Sequence, residues 1–320
     1  MVAFSSAGRR VELMDQFRQE LAARDGGRVI ALDIDPWAPA ARLADEFHEV
    51  PRCDSPEFID QVLDLCKRRE VDLLIPLIDT ELAVYAVSRG QFAREGILIP
   101  VGGPETIRRC NDKLAFQQLM AEVGVVTPPT APSGSDVTVE WESGAVVKPR
   151  FGSSSVGMRI CPAGTTLTSA AIADDDLVVQ RRIEGTEHSV DVFVDQRGQV
   201  RSAFTRLQLH MRGGEAQQGQ AIVNRELAEL ATRAVEALPD PFGVMDVDML
   251  VDGATGVPHV LEVNGRFPGG YPLSHMAGAP GIGWLLDLAS GNEPNYDAVQ
   301  PTRPVRMSRF HQAVYSEVVE

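Results

Sequence analysis

Apolar positions in the first hundred residues alternate between the continuous runs of buried strands and the spacing of amphipathic helices. After a short apolar run at residues 2–4, Val11, Met14, Phe17 and Leu21 fall on one helical face. Strand-like and helical segments then follow in the order RVIALDID, residues 56–69, VDLLIPL, residues 81–94 and GILIPVG. This βαβ series predicts an α/β fold with a doubly wound parallel sheet that binds ligands at the carboxyl ends of its strands.

The patterning becomes β-rich after the first third of the chain. Pro104–Glu105 open a segment that predicts one helix continuing to Gly124, and the Pro-rich stretch 128–132 marks a linker or the entry to a subdomain. Further helices are predicted near 167–173, at 226–238 and at 282–290. The predicted strands are AVVKPR, MRICP, DLVVQRRI, HSVDVFVD, VRSAFTRLQLHM, a hairpin within 244–264 and VRMSRFHQAVY.

The predicted hairpin contains the most informative pattern of the chain. Asp248 lies in the alternating run MDVDMLV, and after a turn the strand HVLEV contains Glu262, with Asn264 just beyond it. Residues i and i+2 of a strand share a face, so Glu262 and Asn264 point the same way and Asp248 joins them across the hairpin. Two carboxylates and an amide oxygen form a hard site that suits Mg²⁺. Arg266 follows on the same side, placed for an anion held by the metal.

Acidic residues beside a β-turn are more often solvated turn formers than metal ligands. Glu262, however, lies between Leu261 and Val263 in a strand that otherwise reads as buried. A buried carboxylate without a partner costs several kcal/mol, which favours the metal interpretation.

A lysine and a Gly/Ser loop form a second candidate element. Lys148 ends the apolar strand AVVKP, where a buried ammonium needs an anion. Arg150 and Phe151 lead into the loop, whose backbone N–H groups and hydroxyls can close over phosphates. The loop residues are Gly152, Ser153, Ser154, Ser155, Val156 and Gly157. No GK[ST] opens a helix, so this is not a Walker A motif, and a phosphate loop and a flexible turn both stay open.

The segment VVQRRIEGTEHSVDV reads as strand, tight turn and strand. Its residues Gln180, Arg181, Arg182 and Ile183 would offer backbone donors and acceptors to an adenine edge, and Glu187 could accept from ribose hydroxyls. In isolation, Glu187 reads as a surface residue.

The loop Ser5–Arg10 opens the first predicted helix and could hold an anion on the N-terminal amides. It lacks GxGxxG, which argues against a dinucleotide site, and a tight turn with two solvated arginines explains it equally well. Acidic residues at the strand ends of the same region could meet a polar substrate; they are Asp33, Asp35, Asp79 and Glu81.

Composition narrows the class of protein. The chain has 320 residues, 44% hydrophobic and 23% charged, which is ordinary for a soluble globular protein. A formal net charge of −15 argues against nucleic-acid binding. We find no signal peptide and no membrane-length apolar run, and the four scattered cysteines lack metal-ligand spacing. These features predict a cytoplasmic protein with reduced thiols.

The order of these elements resembles the ATP-grasp superfamily over essentially the whole chain. The similarity is to the branch of the carbamoyl-phosphate-synthase large subunit and the pyrrolysine-pathway ligase. It rests on SAGRR, LDIDPWAPA, DLLIPLIDTEL, the element Asn111-Asp112-Lys113 and NGRFPGGYPLSHMAG, with LEVNGR the most specific.

The resemblance implies an N-terminal pre-ATP-grasp α/β domain at 1–105 and an ATP-grasp domain at 106–320. The latter would comprise a lid subdomain at about 126–188, with α+β character, and a C-terminal subdomain at about 189–320. Lys113 and Lys148 would contact the α/β phosphates, residues 152–157 would close over the β/γ phosphates, residues 180–183 would hold adenine and Glu187 the ribose. Mg²⁺ or Mn²⁺ would lie on Asp248, Glu262 and Asn264, with Arg266 on the transferred phosphoryl group. Gln180 stands where that family frequently has Glu.

The implied activity is that of an ATP-dependent, ADP-forming ligase that activates a carboxylate as an acyl phosphate and joins it to an amine in biosynthesis. A kinase, or a carbamoyl- or carboxy-phosphate phosphotransferase on the same scaffold, is the alternative, and a nucleotide-binding protein without turnover is a third. The expected partners are a small carboxylic acid and an amine or amino acid, with a homodimer as the default assembly.

Candidate substrate contacts lie on two late strands. They are Arg206, His210, Arg212, Glu215, Arg309 and His311, and each could equally be a solvated strand residue. Arg212 is favoured as a catalytic-site residue, beside Arg266 and Lys148, because Gly213–Gly214 next to it permit close approach.

Overall fold

The structure is a computed structural model that describes residues 1–24, 26–132, 137–139, 141–152, 157–167, 177–212, 215–297, 299 and 302–315. Its first elements are β1 (Val2–Ser5), α1 (Val11–Ala22), β2 (Val29–Asp33), α2 (Pro39–Leu43), β3 (Glu46–Glu49), α3 (Phe58–Arg68), β4 (Leu73–Pro76), α4 (Asp79–Arg94), α5 (Pro104–Asn111) and α6 (Lys113–Glu122). β5 (Thr130–Pro132), β6 (Val137–Thr138), β7 (Ala145–Pro149), β8 (Arg159–Cys161), β9 (Thr166–Leu167), β10 (Leu177–Arg181), β11 (Gly185–Val194), β12 (Val200–Arg212) and β13 (Glu215–Ile222) follow. α7 (Arg225–Glu236), β14 (Gly243–Asp252), β15 (Pro258–Asn264), α8 (Tyr271–Met276), α9 (Gly281–Ala289) and β16 (Arg306–Ser308) complete the chain. None of the described helices is long and apolar enough to cross a membrane.

A four-stranded parallel sheet in the order β3-β2-β1-β4 confirms the doubly wound N-terminal unit. Alternate residues of β1 enter different cores. Val2 and Phe4 pack with α1, whereas Ala3 packs with α3 and α4 on the other face. The sheet is therefore covered by helices on both sides, as its continuous apolar strands require.

The predicted strand GILIPVG is wrong, because within it only Leu98 pairs with the sheet, through one parallel bridge to Leu73. Pro100 has no N–H to donate, and the amide of Val101 bonds back to Ile99, so the ladder cannot continue. The sequence pattern also missed the short elements α2, β3 and α8.

The single helix predicted from Pro104 to Gly124 is two helices, separated at Asp112. Asp112 is extended (ψ 103°) and its carboxylate accepts hydrogen bonds from the amides of Leu114 and Ala115, which makes it the N-cap of α6. The break makes Lys113 the first residue of α6.

Two buried carboxylates fix the loop between β1 and α1. Glu81 is fully buried and accepts hydrogen bonds from the hydroxyls of Ser5 and Ser6 (2.7 and 2.8 Å) and from the amides of Leu77 and Ile78 (2.7 and 3.2 Å). Burial raises the pKa of Glu81, while these bonds act to lower it. The expectation that Glu81 meets a substrate is wrong, because its carboxylate is enclosed by the loop that it anchors. Asp33 similarly accepts from the amide of Gly8 at 2.7 Å.

The other described strands form two antiparallel sheets, apart from the small β6–β9 pair. The smaller has the order β5-β10-β7-β8, and the predicted helix near 167–173 falls largely on residues 168–176, outside the described residues. The larger has the order β15-β14-β11-β12-β13-β16, in which the long predicted last strand is only Arg306–Ser308. One face of the larger sheet packs on α7 through residues such as Val192, Val247 and Leu230.

A shared core joins the N-terminal sheet to the C-terminal elements. Phe17 of α1 meets Phe267 edge to face at 5.7 Å, and Phe267 meets Tyr271 of α8 at 4.7 Å. The side-chain amide of Gln16 donates to the carbonyl of Pro272 at 3.0 Å. These contacts hold the loop after β1 close to the face of the larger sheet that points away from α7, which is its polar face.

Replacing Glu81 by Ala should destabilise the protein, because four donors lose their shared acceptor and each buried unpaired group costs about 1–3 kcal/mol. Denaturant unfolding monitored by circular dichroism measures the change. Glu81→Gln is the matched control: one oxygen can still accept from both amides while the serine hydroxyls rotate to accept from its NH₂. A Glu81→Ala protein as stable as Glu81→Gln would contradict this account of the loop.

Candidate active site

Strand register places the predicted metal residues opposite one another. Asp248 of β14 pairs with Glu262 of β15, and Asp246 pairs with Asn264. Directly paired residues share a face, so all four side chains point away from the α7 layer. The face predicted from the sequence is therefore present, and Asp246, which the sequence reading missed, belongs to it.

A bulge at Leu261 makes this arrangement compatible with a buried hairpin. The register shifts between Asp248 and Met249, so that Val260 and Val263, three residues apart, both pack in the apolar core on the opposite face. Without the bulge at Leu261, Glu262 and Val260 would lie on the same face of the strand, so the carboxylate and the apolar side chain could not point to opposite faces of the sheet.

The two candidate metal carboxylates lie in a crowded, desolvated environment. Asp248 accepts hydrogen bonds from Ser189 Oγ at 2.6 Å and from Asn264 Nδ2 at 3.2 Å. Burial raises the pKa of both Asp248 and Glu262, and the negative charge of Asp248 raises that of Glu262 further. The excess negative charge of these two carboxylates favours the binding of a cation between them.

The candidate metal site has few protein ligands. Among the described residues, no group of three or more carboxylate, histidine or cysteine side chains is arranged to hold a metal ion. Asp248, Glu262 and Asn264 therefore provide two carboxylates and one amide. That set suits Mg²⁺, which commonly keeps waters and substrate phosphate oxygens beside one or two carboxylates.

Two lysines oppose this negative charge from other elements. Lys148 on β7 and Lys113 at the start of α6 both have their pKa lowered by burial, and the charge of Glu262 acts on both in the opposite direction. Lys113 Nζ donates to the carbonyl of Gly152 at 2.8 Å. Both predicted phosphate lysines thus lie close enough to the same carboxylate for their charges to interact with it.

Arg206, one of the candidate substrate contacts, is held by carboxylates of the protein. Its side chain is 3% exposed, donates two bonds of 2.8 Å to Asp191, and donates a third of 3.0 Å to Asp246. Gly270 lies against the guanidinium: a Cβ built there would be 1.9 Å from Arg206 Nη1. Arg206 is thus a buried counter-ion that neutralises part of the carboxylate face.

Arg266 links the hairpin to the N-terminal sheet. Its Nη2 donates to Asp79, the first residue of α4, at 2.8 Å. Its Nε is buried and has no hydrogen-bond partner among the described residues. Asp79 therefore reaches the site through Arg266, and the Nε–H of Arg266 stays available to donate a hydrogen bond to a ligand.

The predicted phosphate loop is described only at its two ends. Gly152 and Gly157 have positive φ values of 113° and 76°, which favour glycine, while Ser153, Ser154, Ser155 and Val156 lie outside the described residues. Arg150 donates two bonds, of 2.7 and 2.6 Å, to Asp112. The start of the loop is therefore tied to the N-cap of α6.

The predicted adenine segment lies at the end of β10. Gln180 Nε2 donates to Thr130 Oγ1 at 2.8 Å, and the amides of Arg181 and Arg182 donate to Pro129 and Gly144. The side chain of Arg181 reaches Asp252 at 3.4 Å and that of Arg182 reaches Glu184 at 2.9 Å. The amide of Ile183 donates to no described residue.

Glu187 is exposed on β11, two residues from Ser189 on the same face. Burial and the charge of Asp248 both raise its pKa. Glu187 therefore lies close enough to the candidate metal site for its charge to interact with that of Asp248.

The other predicted substrate contacts do not converge on one point. The side chains of Arg212 and Glu215 lie outside the described part of the chain, and His210 and His311 are exposed. Arg309 binds the carbonyl of Gly269, that of Ala216 at 3.2 Å and Glu12 at 3.3 Å. Arg309 thus holds the turn after Arg266 against β13 and α1.

A cavity of about 300 Å³ lies over the polar face. Its walls include Arg9 and Arg10 from the loop after β1, Gln208 of β12, and Gly269–Gly270. Sequence reasoning missed Ser189, Asp191 and Gln208. The available signal was alternation within HSVDVFVD, which places Ser189 and Asp191 on one face.

A wider groove of about 810 Å³ lies behind the sheet, between α7 and the turn that joins β14 to β15. Val126, Leu230 and Val257 line it together with Glu226, Glu229 and Arg233. It contains none of the candidate metal carboxylates, whereas Asp248 and Glu262 line the cavity on the polar face, which is therefore the candidate site.

Comparison with known proteins adds family information. Residues 110–270 match a family model described as an ATP-grasp domain, and residues 2–100 match one described as a PylC-like N-terminal domain. A search of the curated proteins found no match.

Solved structures with the same fold include three that cover nearly all of this chain. N5-carboxyaminoimidazole synthetase from Staphylococcus aureus, complexed with ADP, is 17% identical with a TM-score of 0.73, over 97% of this chain and 82% of that one. L-amino acid ligase from Bacillus licheniformis is 18% identical with a TM-score of 0.69, over 95% and 78%. Pyruvate carboxylase from Rhizobium etli is 19% identical with a TM-score of 0.72, and this chain spans 94% of its own length but 30% of that chain.

Replacing Gly270 by Ala should lower the free energy of unfolding by about 1–3 kcal/mol or more, as overpacked sites do. The atom that the new methyl group meets belongs to Arg206, whose bonds to Asp191 and Asp246 prevent it from moving aside. Chemical denaturation measures the effect.

Gly90→Ala provides the matched control. Gly90 lies within α4 with no atom within 4 Å of an added Cβ, so the same substitution should raise stability by about 0.5–1 kcal/mol. If Gly270→Ala were as stable as wild type, the packing of Arg206 on Gly270 would be refuted.

Proposed function

The chain belongs to the ATP-grasp family, and we propose that it is an ADP-forming ligase that activates a carboxylate as an acyl phosphate and joins it to an amine. The observation on which this rests is the register-paired set Asp248, Glu262 and Asn264 facing two lysines. In this proposal the set would supply the metal ligands, and the two lysines would supply the cations that bind phosphate.

We propose that the chain divides as its sequence suggests, into a pre-ATP-grasp domain at 1–105 and an ATP-grasp domain at 106–320. The two matched family models, at 2–100 and 110–270, support the boundary. The small sheet β5-β10-β7-β8 falls within the lid at about 126–188, and most of the six-stranded sheet falls within the subdomain at about 189–320.

Asp248, Glu262 and Asn264 would hold Mg²⁺, or Mn²⁺, together with phosphate oxygens of ATP. The raised pKa values of both carboxylates support this, since burial and neighbouring carboxylates disfavour their charged forms and a bound divalent cation would favour them. When bound, the metal would stabilise negative charge on the transferred phosphoryl group.

Lys113 and Lys148 would contact the α/β phosphates from the opposite side of the cleft, and the loop 152–157 would close over the β/γ phosphates. Residues 180–183 would hold adenine, where the amide of Ile183 has a donor to offer. Glu187 would accept from the ribose hydroxyls. These assignments place the γ-phosphoryl group between Lys148 and the hairpin.

In the first step, a carboxylate oxygen of the acid substrate attacks the γ-phosphorus and the bond to the bridging oxygen breaks, which releases ADP. Lys148 and Arg266 would stabilise the charge that spreads over the transferred oxygens. In the second step, the amine nitrogen attacks the acyl carbon, the carbon–oxygen bond to phosphate breaks, and phosphate leaves. Arg212 would contribute on the acceptor side, at the end of β12.

Glu262→Gln should reduce MgATP-dependent ADP release by at least about a hundredfold, because losing a ligating charge weakens both metal binding and phosphoryl transfer. The fold should be kept, since the substitution is isosteric and removes one charge from a crowded cluster. Coupled ADP assays and thermal unfolding measure the two properties.

Glu226→Gln on the exposed side of α7 is the matched control and should retain wild-type activity. If Glu262→Gln turned over at the rate of Glu226→Gln, the metal assignment would be wrong.

The reaction class is tested by product analysis. We expect ADP, free phosphate and an amide-type product in equal amounts when an acid and an amine are both supplied, with mass spectrometry and a phosphate assay as the measurements. A stable phosphorylated product without free phosphate would instead identify a kinase, since a kinase needs no second nucleophile.

A further inference from the structure

We propose that the side-chain oxygen of Gln208 binds the N–H groups of the amine substrate and so determines which nucleophile the enzyme accepts. This inference rests on the proposed ligase function and assigns a residue to its acceptor half. It follows from the direction of one chain of hydrogen bonds on the polar face, from Gln208 through Ser189 to Asp248.

The direction of this chain is fixed by chemistry. Ser189 Oγ lies 2.6 Å from Asp248 Oδ1, and a carboxylate that binds a metal has no hydrogen to offer. The single hydroxyl hydrogen of Ser189 must therefore point to Asp248. Towards Gln208 the hydroxyl can only accept, so Gln208 must present its NH₂ group there, as the structure has it.

This constraint forces the other end of the carboxamide to face away from Ser189. Gln208 Oε1 is buried and has no hydrogen-bond partner among the described residues. A buried acceptor left unpaired costs about 1–3 kcal/mol, and the amide cannot turn over to relieve it without placing two acceptors together. A ligand that donates a hydrogen bond would remove that cost.

Gln208 lines the same cavity as Arg266, whose buried Nε also lacks a partner in the described chain. The two atoms have opposite character, because the glutamine oxygen needs a donor and the arginine Nε needs an acceptor. A pair of ligands with an N–H group and an anionic oxygen meets both needs. An amine beside an acyl phosphate is such a pair.

A carboxamide also suits the reactivity of the nucleophile. The attacking nitrogen must be neutral and must direct its lone pair at the acyl carbon, so its N–H groups have to be held from the far side. A neutral oxygen accepts them without the preference for a charged ammonium that a carboxylate would impose. As the nitrogen bonds to the acyl carbon, phosphate departs with the electron pair of the broken carbon–oxygen bond, and the surplus proton passes to water in the cavity.

The binding experiment uses the full chain with MgADP and, as probes, ammonium chloride, the twenty L-amino acids and the N-acetyl derivatives of the same amino acids. Calorimetry or thermal shift compares wild type with Gln208→Leu and with Gln208→Met, a second variant in case the first fails to fold. Gln218→Leu, at an exposed position of β13, is the matched control.

We expect at least one free amine to bind wild type and Gln218→Leu equally, and to bind the Gln208 variants about tenfold more weakly, as the loss of one hydrogen bond implies. The acetylated form of that amine should bind poorly to all of the proteins. In turnover assays, the KM for the amine should rise about tenfold while the KM for ATP stays within twofold, a split that a merely structural role of Gln208 would not produce.

Equal binding of the amine by wild type and Gln208→Leu, or no binding of any free amine by wild type, would overturn the inference. The proposed function fails separately. Amine binding that depends on Gln208 without ADP release would refute the ligase and keep the site. ADP release with an amine KM unchanged in Gln208→Leu would refute the site and keep the ligase.

Discussion

Repulsion among carboxylates on one buried face of the six-stranded sheet is the constraint on which the cleft depends. Asp246, Asp248 and Glu262 lie on neighbouring strands, and burial raises the pKa of each. The protein offsets part of this charge itself: Arg206 neutralises Asp246, and Lys113 and Lys148 act on Glu262. The remainder is concentrated at Asp248 and Glu262, where a divalent cation bound with phosphate would neutralise it.

Two buried arginines on this face differ in function: one supports the fold, and the other can bind a ligand. Arg206 donates through Nε and Nη2 to two carboxylates and has Nη1 packed against Gly270, so it holds β11, β12 and β14 together. Arg266 is also largely buried, yet its Nε keeps an unused donor and its ion pair runs to Asp79 in a different sheet unit. The residue type is the same in both places. The number of acceptors already supplied by the protein differs: Arg206 donates three bonds to carboxylates and Arg266 donates one, so Arg266 has more donors left for a ligand.

The sequence alone was sufficient to predict the structure where a hydrophobic period extends over many residues and where the interacting residues are close together in the chain. It predicted the parallel N-terminal sheet, the β14–β15 hairpin and the shared face of Asp248, Glu262 and Asn264, because period-two alternation determines facing directly. It failed at Asp112, where an apolar pattern runs through a helix break set by a side-chain cap and an ion pair to Arg150. It also missed Gln208 and misread Arg206, since both depend on cross-strand partners far away in the chain. An arginine that pairs with a carboxylate of the protein and an arginine that binds a substrate cannot be told apart from the sequence alone.

The aromatic contact between Phe17 and Phe267 has a consequence for how such a chain can be divided. The core around it draws residues from β1, α1, β12, α8 and α9, so the boundary near residue 105 separates two architectures but not two independent cores. A fragment that starts at residue 106 would expose Phe267 and Tyr271 to solvent and leave Arg266 without its counter-ion. A cut near residue 105 of this chain would therefore divide one hydrophobic core between two fragments. The first hundred residues supply part of the core against which the turn after the β14–β15 hairpin packs.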